Sequence, residues 1–175
     1  RRDVAWVSVG DELLAGDTVN TNAAWLGDRL AGRGASVERV TVVPDRIADI
    51  ARVVNEYAAE YDAVVTTGGL GPTHDDRTME AVAAAVGRDV ETSEAVLEWL
   101  GEERDYQRSD LTDGTADLPA DARPLHNVVG VAPGCVVENI YVLPGVPEEM
   151  QAMFESVASE FDGQRRHVET VTLDE

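Results

Sequence analysis

The residues of this sequence best suited to chemistry are carboxylates that follow a glycine-rich loop. Residues 66–76 read TTGGLGPTHDD and end in Asp75 and Asp76. Glycines let the backbone turn sharply and approach a ligand closely, and the apolar spacing after Asp76 predicts a helix whose free N–H groups favour phosphate. The run therefore predicts an anion pocket with metal ligands at its rim, although an ordinary strand-to-helix turn capped by Asp75 is the alternative. The loop positions assigned to phosphate are Gly68, Gly69, Leu70, Gly71, Pro72 and Thr73.

Similar residues follow three other predicted strands. Gly10, Asp11 and Glu12 follow the first strand, Asp45 follows the second, and Gly145 follows the last. If these strands are parallel, their loops meet at one sheet edge, where open α/β sheets bind ligands. A solvated surface position is the alternative for each carboxylate taken singly in so acidic a chain.

Charge balance favours a divalent cation at this edge. Carboxylates beside the glycine loop would repel a phosphate, and Mg²⁺ prefers one or two carboxylates together with phosphate oxygens and water. Asp45 with Asp75 or Asp76 supplies that ligand set, with Mn²⁺ or Co²⁺ as other metal candidates and K⁺ as a possible further cation. His74 is either a solvent-facing loop residue or a transition-metal ligand or general acid. Cys135, the only cysteine, is expected to be a small core residue, and no nucleophilic triad stands out.

The elements that must position these residues alternate between β-like and helical patterns. Such alternation predicts an α/β fold with a parallel sheet and right-handed crossovers. Residues 102–122 are polar and are predicted to be irregular, and a hairpin is expected across Glu138 and Asn139. The predicted strands are 4–9, 37–43, 63–66, 136–137 and 140–143, and the predicted helices are 23–30, 47–58, 77–86, 93–101 and 147–161.

Composition limits the class of partner. The chain has 34 Asp and Glu against 14 basic residues, all of them Arg, for a net charge of -20. Such a surface repels nucleic acid and anionic membranes, so neither is an expected partner. The even spread of charge resembles adaptation to concentrated salt, and we expect a cytoplasmic protein of an extreme halophile. Length and hydrophobic content predict one domain over residues 1–175, with 163–175 as a further strand or the stub of a missing segment.

Five segments of the chain jointly resemble the molybdopterin-binding domain family, and most closely its CinA-like branch. The resemblance runs in the family's order through about residues 4–160. The wider family shares the Thr-Gly-Gly loop followed by an aspartate, matched by Asp76, and an aspartate after the second strand, matched by Asp45. The five segments are residues 9–14 with Gly16, residues 20–22, 67–76, 130–134 and 143–150.

The resemblance implies a three-layer α/β/α sandwich of the MogA-like type, with a mixed, mostly parallel sheet. It implies a site for a phosphorylated nucleotide or pterin and, in the CinA-like branch, metal-dependent cleavage of a pyrophosphate bond such as that of ADP-ribose or FAD. Asp45 and Asp76 would hold the metal, with Asp75 as a further ligand or base. Asn20 and Asn22 would contact ribose or pterin, and residues 144–149, among them Gly145, Pro147 and Glu148, would wall the pocket.

Two alternative functions remain open under the same resemblance. One is molybdenum-cofactor biosynthesis by molybdopterin binding and adenylylation, and the other is a pterin- or nucleotide-binding module without catalysis. The resemblance also favours a symmetric dimer or trimer.

Overall fold

A six-stranded mixed sheet forms the centre of the protein. A computed structural model describes residues 2–10, 12–70, 76–111 and 114–162, with the side chains of 12–20 and of Arg108 excepted. The strands are β1 (Arg2–Val9), β2 (Ala35–Val43), β3 (Ala63–Thr67), β4 (Val90–Thr92), β5 (Asp117–Pro119), β6 (Arg123–Leu125), β7 (Gly134–Val137) and β8 (Ile140–Leu143). The helices are α1 (Glu12–Ala31), α2 (Ile47–Glu60), α3 (Thr78–Val86), α4 (Glu94–Glu103) and α5 (Pro147–Glu155), with 3₁₀ turns at Arg108–Asp110 and Ala158–Phe161.

The sheet is mostly parallel, as predicted. Its strand order is β2-β1-β3-β8-β7-β6, in which β2, β1, β3 and β8 pair in parallel and β8-β7-β6 pair antiparallel. The predicted hairpin across Glu138 and Asn139 is confirmed, since β7 and β8 pair directly. Strands β2, β1, β3 and β8 therefore present their carboxyl ends at the same edge of the sheet.

Two separate hydrophobic layers cover the sheet, because successive strand residues point to opposite faces. On one face Val4 and Trp6 of β1 pack with α1, α5 and the last 3₁₀ turn. On the other face Ala5 and Val7 pack with α2, α3 and α4. The chain is thus a three-layer α/β/α sandwich, which confirms the predicted fold class. Within the described part of the chain, none of the helices has the length and apolar character that crossing a bilayer requires.

Three predicted elements were wrong in extent. The first helix begins at Glu12 rather than at residue 23. The span 102–122 is not wholly irregular, because β5 lies within it and pairs antiparallel with β4. The last helix ends at Glu155, where the Ser156 hydroxyl donates a 2.6 Å hydrogen bond to the Met153 carbonyl, and residues 158–161 form a 3₁₀ turn instead.

Candidate functional site

The strand order predicts a ligand crevice between the carboxyl ends of β1 and β3. The strand order places β1 between β2 and β3, so the connection after β1 leads to β2 on one side and the connection after β3 leads to the strands on the other side. The chain leaves β1 for α1 in one helical layer and leaves β3 for α3 in the other layer. Divergence of two neighbouring loops opens a crevice at the point where the strand order reverses, and ligands of open α/β sheets bind there. The predicted glycine loop begins at this point.

The floor of the crevice is backbone without side chains. The Gly10 amide donates to the Val43 carbonyl at 2.9 Å, and the Gly68 amide donates to the Leu143 carbonyl at 3.1 Å, so neighbouring strand ends are tied together. A Cβ at Gly68 would overlap the Val9 carbonyl oxygen, and a Cβ at Gly145 would lie 3.1 Å from the Gly68 Cα. The close approach of three strand ends therefore depends on glycine.

Thr78 fixes the backbone of Gly68 and Gly69 at the start of the glycine loop. This residue is fully buried at the first position of α3. Its hydroxyl donates to the Gly68 carbonyl at 2.9 Å, and its amide donates to the Gly69 carbonyl at 3.3 Å. Gly68 and Gly69 both have positive φ, +97° and +71°, so the threonine holds a backbone shape that other residues rarely adopt. Sequence reasoning missed Thr78, although a hydroxyl residue at a helix start two positions after Asp76 is a usable signal.

Replacing Thr78 with Val is expected to destabilise the protein by about 1–3 kcal/mol, because the shape is kept while a buried carbonyl loses its donor. Urea unfolding at constant salt measures the free-energy change. Thr78→Ser keeps the hydroxyl and should retain most of the stability that Val loses. Equal losses in both variants would show that the methyl group, rather than the hydrogen bond, matters at this position.

Asp45, which follows β2, contacts the beginning of α3, and Asp76 immediately precedes that point in the chain. A carboxylate oxygen of Asp45 accepts a 3.0 Å hydrogen bond from the backbone amide of Arg77, the residue after Asp76. Both aspartates are partly buried. Within residues 2–10, 12–70, 76–111 and 114–162 no group of three or more His, Cys, Asp or Glu could hold a metal. The described chain therefore brings two carboxyl-bearing residues, but no complete metal cage, to this point.

The amides at the start of α3 differ from the expectation of an open phosphate cradle. The Arg77 amide donates a hydrogen bond to the Asp45 carboxylate, and the Thr78 amide donates one to the Gly69 carbonyl. The Arg77 amide is therefore occupied by a carboxylate and the Thr78 amide by a backbone carbonyl, so neither is free for a phosphate. This arrangement makes the helix start acidic, which suits a cation better than a bare anion.

Asn22 is the predicted polar contact that the structure places at the crevice. Its side chain is 2 % exposed, and its amide nitrogen donates to the Gly145 carbonyl at 3.3 Å. Its side-chain oxygen is buried without a hydrogen-bond partner among the residues described. The side-chain nitrogen of Asn22 therefore helps to hold the Gly145 backbone beside Gly68.

The other predicted site residues divide into three groups. Leu70 packs against the core beneath α3, Pro147 opens α5, and Glu148 is exposed in the first turn of that helix. Glu12 and Asn20 lie in α1, but only their backbone is described. Asp11, Gly71, Pro72, Thr73, His74, Asp75 and the tail 163–175 lie outside the described residues.

A loop after β6 borders the same edge and was not assigned by sequence reasoning. Because β6 runs antiparallel to β7 and β7 runs antiparallel to β8, β6 and β8 both end at the same edge of the sheet, with β7 between them. We call residues 127–130 the edge loop. Arg104, at the end of α4, donates to the edge-loop carbonyls of Asn127 and Gly130 at 2.7 and 2.9 Å. The segment 130–134 was one of the family-like segments, which is the signal that could have found this loop.

The side chain of Asn127 fastens the edge loop a second time. It is 2 % exposed, and its oxygen accepts from the amides of Val129 and Gly130 at 3.1 and 2.6 Å. Its nitrogen donates to the Ala132 carbonyl at 2.9 Å and to Glu149 of α5 at 2.7 Å. The edge loop is therefore joined to both α4 and the first turn of α5.

Cys135 is a core residue, as the sequence predicted. The thiol is buried on β7, and burial raises its pKa to about 12. A thiolate is therefore not formed near neutral pH, and nucleophilic catalysis by this residue is disfavoured.

Comparison with known proteins shows which sequences and folds this chain is similar to. A family model described as a probable molybdopterin binding domain matches residues 5–162. A protein of Aeropyrum pernix is 50% identical over 159 residues, covering 86% of this chain but only 59% of its own length. A protein of Archaeoglobus fulgidus is 38% identical over 167 residues, covering 95% of this chain and 72% of its own.

Solved structures share the architecture. CinA from Thermoplasma acidophilum, a protein of unknown function, superposes with a TM-score of 0.81 at 37% identity, covering 91% of this chain and 98% of that one. The molybdopterin biosynthesis enzyme MoaB of Thermus thermophilus superposes with a TM-score of 0.59 at 23% identity, covering 93% and 98% of the two chains. The second likeness shows a common fold.

Proposed function

Because this chain belongs to the molybdopterin-binding domain family, we propose that it binds a phosphorylated nucleotide or pterin in the crevice between β1 and β3. We propose further that it hydrolyses a pyrophosphate bond of that ligand with the help of a divalent cation. The observation that carries this proposal is the contact of Asp45 with the Arg77 amide, beside Asp76 and the Gly68–Gly69 backbone. In this proposal the phosphate, the cation and the carboxylates come together at the beginning of α3.

The glycine floor supports phosphate binding at this place. Glycine at positions 68 and 145 lets the strand ends pack backbone against backbone, which sets where the loop after β3 begins. Thr78 holds the backbone of Gly68 and Gly69 in one shape, so these two residues need little ordering when a ligand binds. Substrate phosphate would lie over residues 68–73 in this proposal.

The carboxylates support a cation between protein and phosphate. Asp45 and Asp76 would hold Mg²⁺ or a similar ion, and phosphate oxygens and water would complete its coordination. The two-carboxylate donor set fits this use, since Mg²⁺ rarely occupies a cage made only of protein ligands. Such an ion supplies charge stabilisation to the phosphorus centre and acidity to water.

The proposed reaction with ADP-ribose is hydrolysis into AMP and ribose 5-phosphate. A water oxygen forms a bond to one phosphorus as the bond from that phosphorus to the bridging oxygen breaks. Asp75 is the proposed base that takes the water proton, and the released phosphate takes up the electron pair of the broken bond. The Gly68–Gly69 backbone orients the pyrophosphate for attack along the broken bond.

Metal-dependent release of AMP is the expected outcome when the purified protein is incubated with ADP-ribose or FAD. The reaction is run in high-potassium buffer with Mg²⁺, Mn²⁺ or Co²⁺ or with chelator, and AMP is measured by chromatography. AMP release only with added metal supports the proposal. Equal AMP release in chelator would show that the hydrolysis does not need a metal ion. No AMP from protein shown to be folded in that salt would overturn the hydrolysis.

Molybdopterin binding with adenylylation is the second candidate, and the family description supports the binding part of it. In that reaction the same crevice would join a nucleotide and a pterin rather than split a pyrophosphate. Calorimetric binding of pterin and ATP, without AMP release from ADP-ribose, would favour it. Binding without any product would favour a non-catalytic module. A cytoplasmic location, adaptation to high salt and assembly as a dimer or trimer remain predictions.

A further inference from the structure

Arg77 lies at the candidate site with a side chain that no described residue holds. It is half-buried, directly before the first residue of α3, and it follows Asp76 in the chain. Within residues 2–10, 12–70, 76–111 and 114–162, its guanidinium group has no hydrogen bond, ion pair or ring contact. Every other arginine whose side chain is described has at least one such partner: Arg2, Arg29, Arg33, Arg39, Arg46, Arg52, Arg88, Arg104 and Arg123.

The absence of a partner among the described residues is unusual in so acidic a chain. With 34 acidic residues against 14 basic ones, an arginine finds a carboxylate readily. Arg46 and Arg52 lie 3.9 and 3.6 Å from carboxylate oxygens of Asp49, although their side chains are 76% and 74% exposed. Arg77 is the more buried residue, and partial burial of an unpaired charge costs free energy that a bound anion offsets. The guanidinium of Arg77 is therefore suited to a ligand rather than to holding the fold.

The backbone at the start of α3 does not supply what an anion needs. The Arg77 amide donates to the Asp45 carboxylate, and the Thr78 amide donates to the Gly69 carbonyl. Arginine presents its N–H donors in a planar fork that matches two phosphate oxygens. The side chain of Arg77 thus offers, at this point of the chain, the donors that the two backbone amides do not.

Charge balance gives such a group a use. The carboxylates of Asp45 and Asp76 together match the charge of one divalent cation, so the negative charge of a pyrophosphate still needs a basic group. The chain has no lysine, and Arg46, which follows Asp45, is already paired with Asp49. Among the described residues, Arg77 is thus the arginine available next to the two aspartates.

We propose that Arg77 is a catalytic residue whose guanidinium binds the non-bridging oxygens of the pyrophosphate. As the water oxygen bonds to one phosphorus, the bond from that phosphorus to the bridging oxygen breaks, and its electron pair passes to the released phosphate. The negative charge of that phosphate rises, and Arg77 stabilises it by charge and by hydrogen bonds. The guanidinium stays protonated throughout, so it neither gives nor takes a proton. This inference rests on the proposed function, because it adds a group to the same reaction.

Steady-state kinetics of ADP-ribose hydrolysis test the proposal on the full chain in high-potassium buffer with Mg²⁺. Arg77→Gln removes the charge but keeps the backbone amide that donates to Asp45. We expect kcat to fall about 10- to 100-fold with an unchanged thermal transition, less than for a fully enclosed donor because Arg77 is partly exposed. Arg77→Lys keeps the charge without the planar fork, so its kcat should lie in between. Arg46→Gln makes the same change directly after Asp45 and should keep the wild-type kcat.

Two further measurements separate contact with phosphate from a structural role. Methylguanidinium added to Arg77→Ala should restore part of the lost rate, because it supplies the missing group, and it should not raise the rate of the wild-type protein. Calorimetry with AMP in the same buffer should show an affinity about 5- to 10-fold lower in Arg77→Gln and unchanged in Arg46→Gln.

Other outcomes would overturn the assignment in distinguishable ways. Wild-type kcat in Arg77→Gln would leave the hydrolysis standing and remove Arg77 from it. Equal losses in Arg77→Gln and Arg46→Gln would show a general effect of charge, and a lowered thermal transition without rescue of Arg77→Ala would show a structural role. AMP binding that depends on Arg77, without turnover by the wild-type protein, would keep the phosphate contact and end the hydrolysis alone. Neither AMP binding nor turnover by the wild-type protein would end both.

Discussion

Asp76→Asn is expected to lower turnover of ADP-ribose by about 10²-fold or more, with the fold intact, because asparagine removes one of two carboxylates proposed to hold the cation. Asp76 is partly buried next to Arg77, whose amide is bonded to Asp45. Asparagine has nearly the same shape as aspartate, so packing at the start of α3 should survive. The expected loss is therefore one of chemistry and metal affinity rather than of stability.

Initial rates over a range of Mg²⁺ concentrations measure this effect. A ligand role predicts that higher Mg²⁺ partly restores the rate, whereas a purely structural role predicts no such rescue. Asp28→Asn, on an exposed position of α1, makes the same chemical change and should leave the rate unaltered. Full activity of Asp76→Asn at ordinary Mg²⁺, with an unchanged thermal transition, would end the assignment.

Gly68→Ala is expected to destabilise the protein by about 2–4 kcal/mol and to abolish phosphate binding, because a Cβ there meets both a torsional and a steric penalty. The φ of Gly68 is +97°, and the added carbon would overlap the carbonyl oxygen of Val9. Relief requires the end of β1 to move away from β3. That movement would widen the crevice floor on which the phosphate is proposed to lie.

Gly87→Ala separates the two penalties. Gly87 ends α3 with a φ of +69°, but nothing lies within 4 Å of the position of an added Cβ. Its substitution should cost only about 1 kcal/mol, from the backbone conformation alone. Urea unfolding of both variants at constant salt gives the difference. Equal costs would show that β1 and β3 are not tightly apposed at Gly68.

Regular spacing made most of the sheet predictable, whereas α1 was predicted only in its second half. The apolar residues Leu26 and Leu30 mark the buried face of that half. The earlier half contains Gly16, Asp17, Asn20 and Asn22, which have weak helix propensity. Packing overrides propensity here, as the buried amide of Asn22 shows by its bond to Gly145.

The short strands were not predictable for a different reason. β4 and β5 have three residues each, and β5 ends in Pro119. β6 includes Pro124, which is tolerated because β6 lies at the edge of the sheet. Three residues give too little alternation to distinguish a strand from a loop, so their pairing is a tertiary property.

The position of the glycines and of Asp45 at one sheet edge could be predicted from the sequence, because it follows from the direction of the strands. Glycines and aspartates after predicted parallel strands indicated the edge, and the structure brings Gly10, Gly68, Gly145 and Asp45 to it. Thr78 and Arg104 could not be recognised in the same way, because each bonds to carbonyls ten or more residues away in the sequence. A side chain that bonds to carbonyls leaves no pattern of residue types.

The departure of neighbouring loops into opposite helical layers has a consequence for how such proteins diversify. The segment after β1 belongs to the α1 layer and the segment after β3 belongs to the α3 layer. These two segments form the two banks, that is the two sides, of the crevice, and no single helix covers both. Insertions or deletions in one bank need not displace the other, since loop length is tolerated where it does not disturb packed elements. One ancestral sheet can therefore acquire new ligands by altering one bank at a time, while the backbone floor of Gly68 and Gly145 persists.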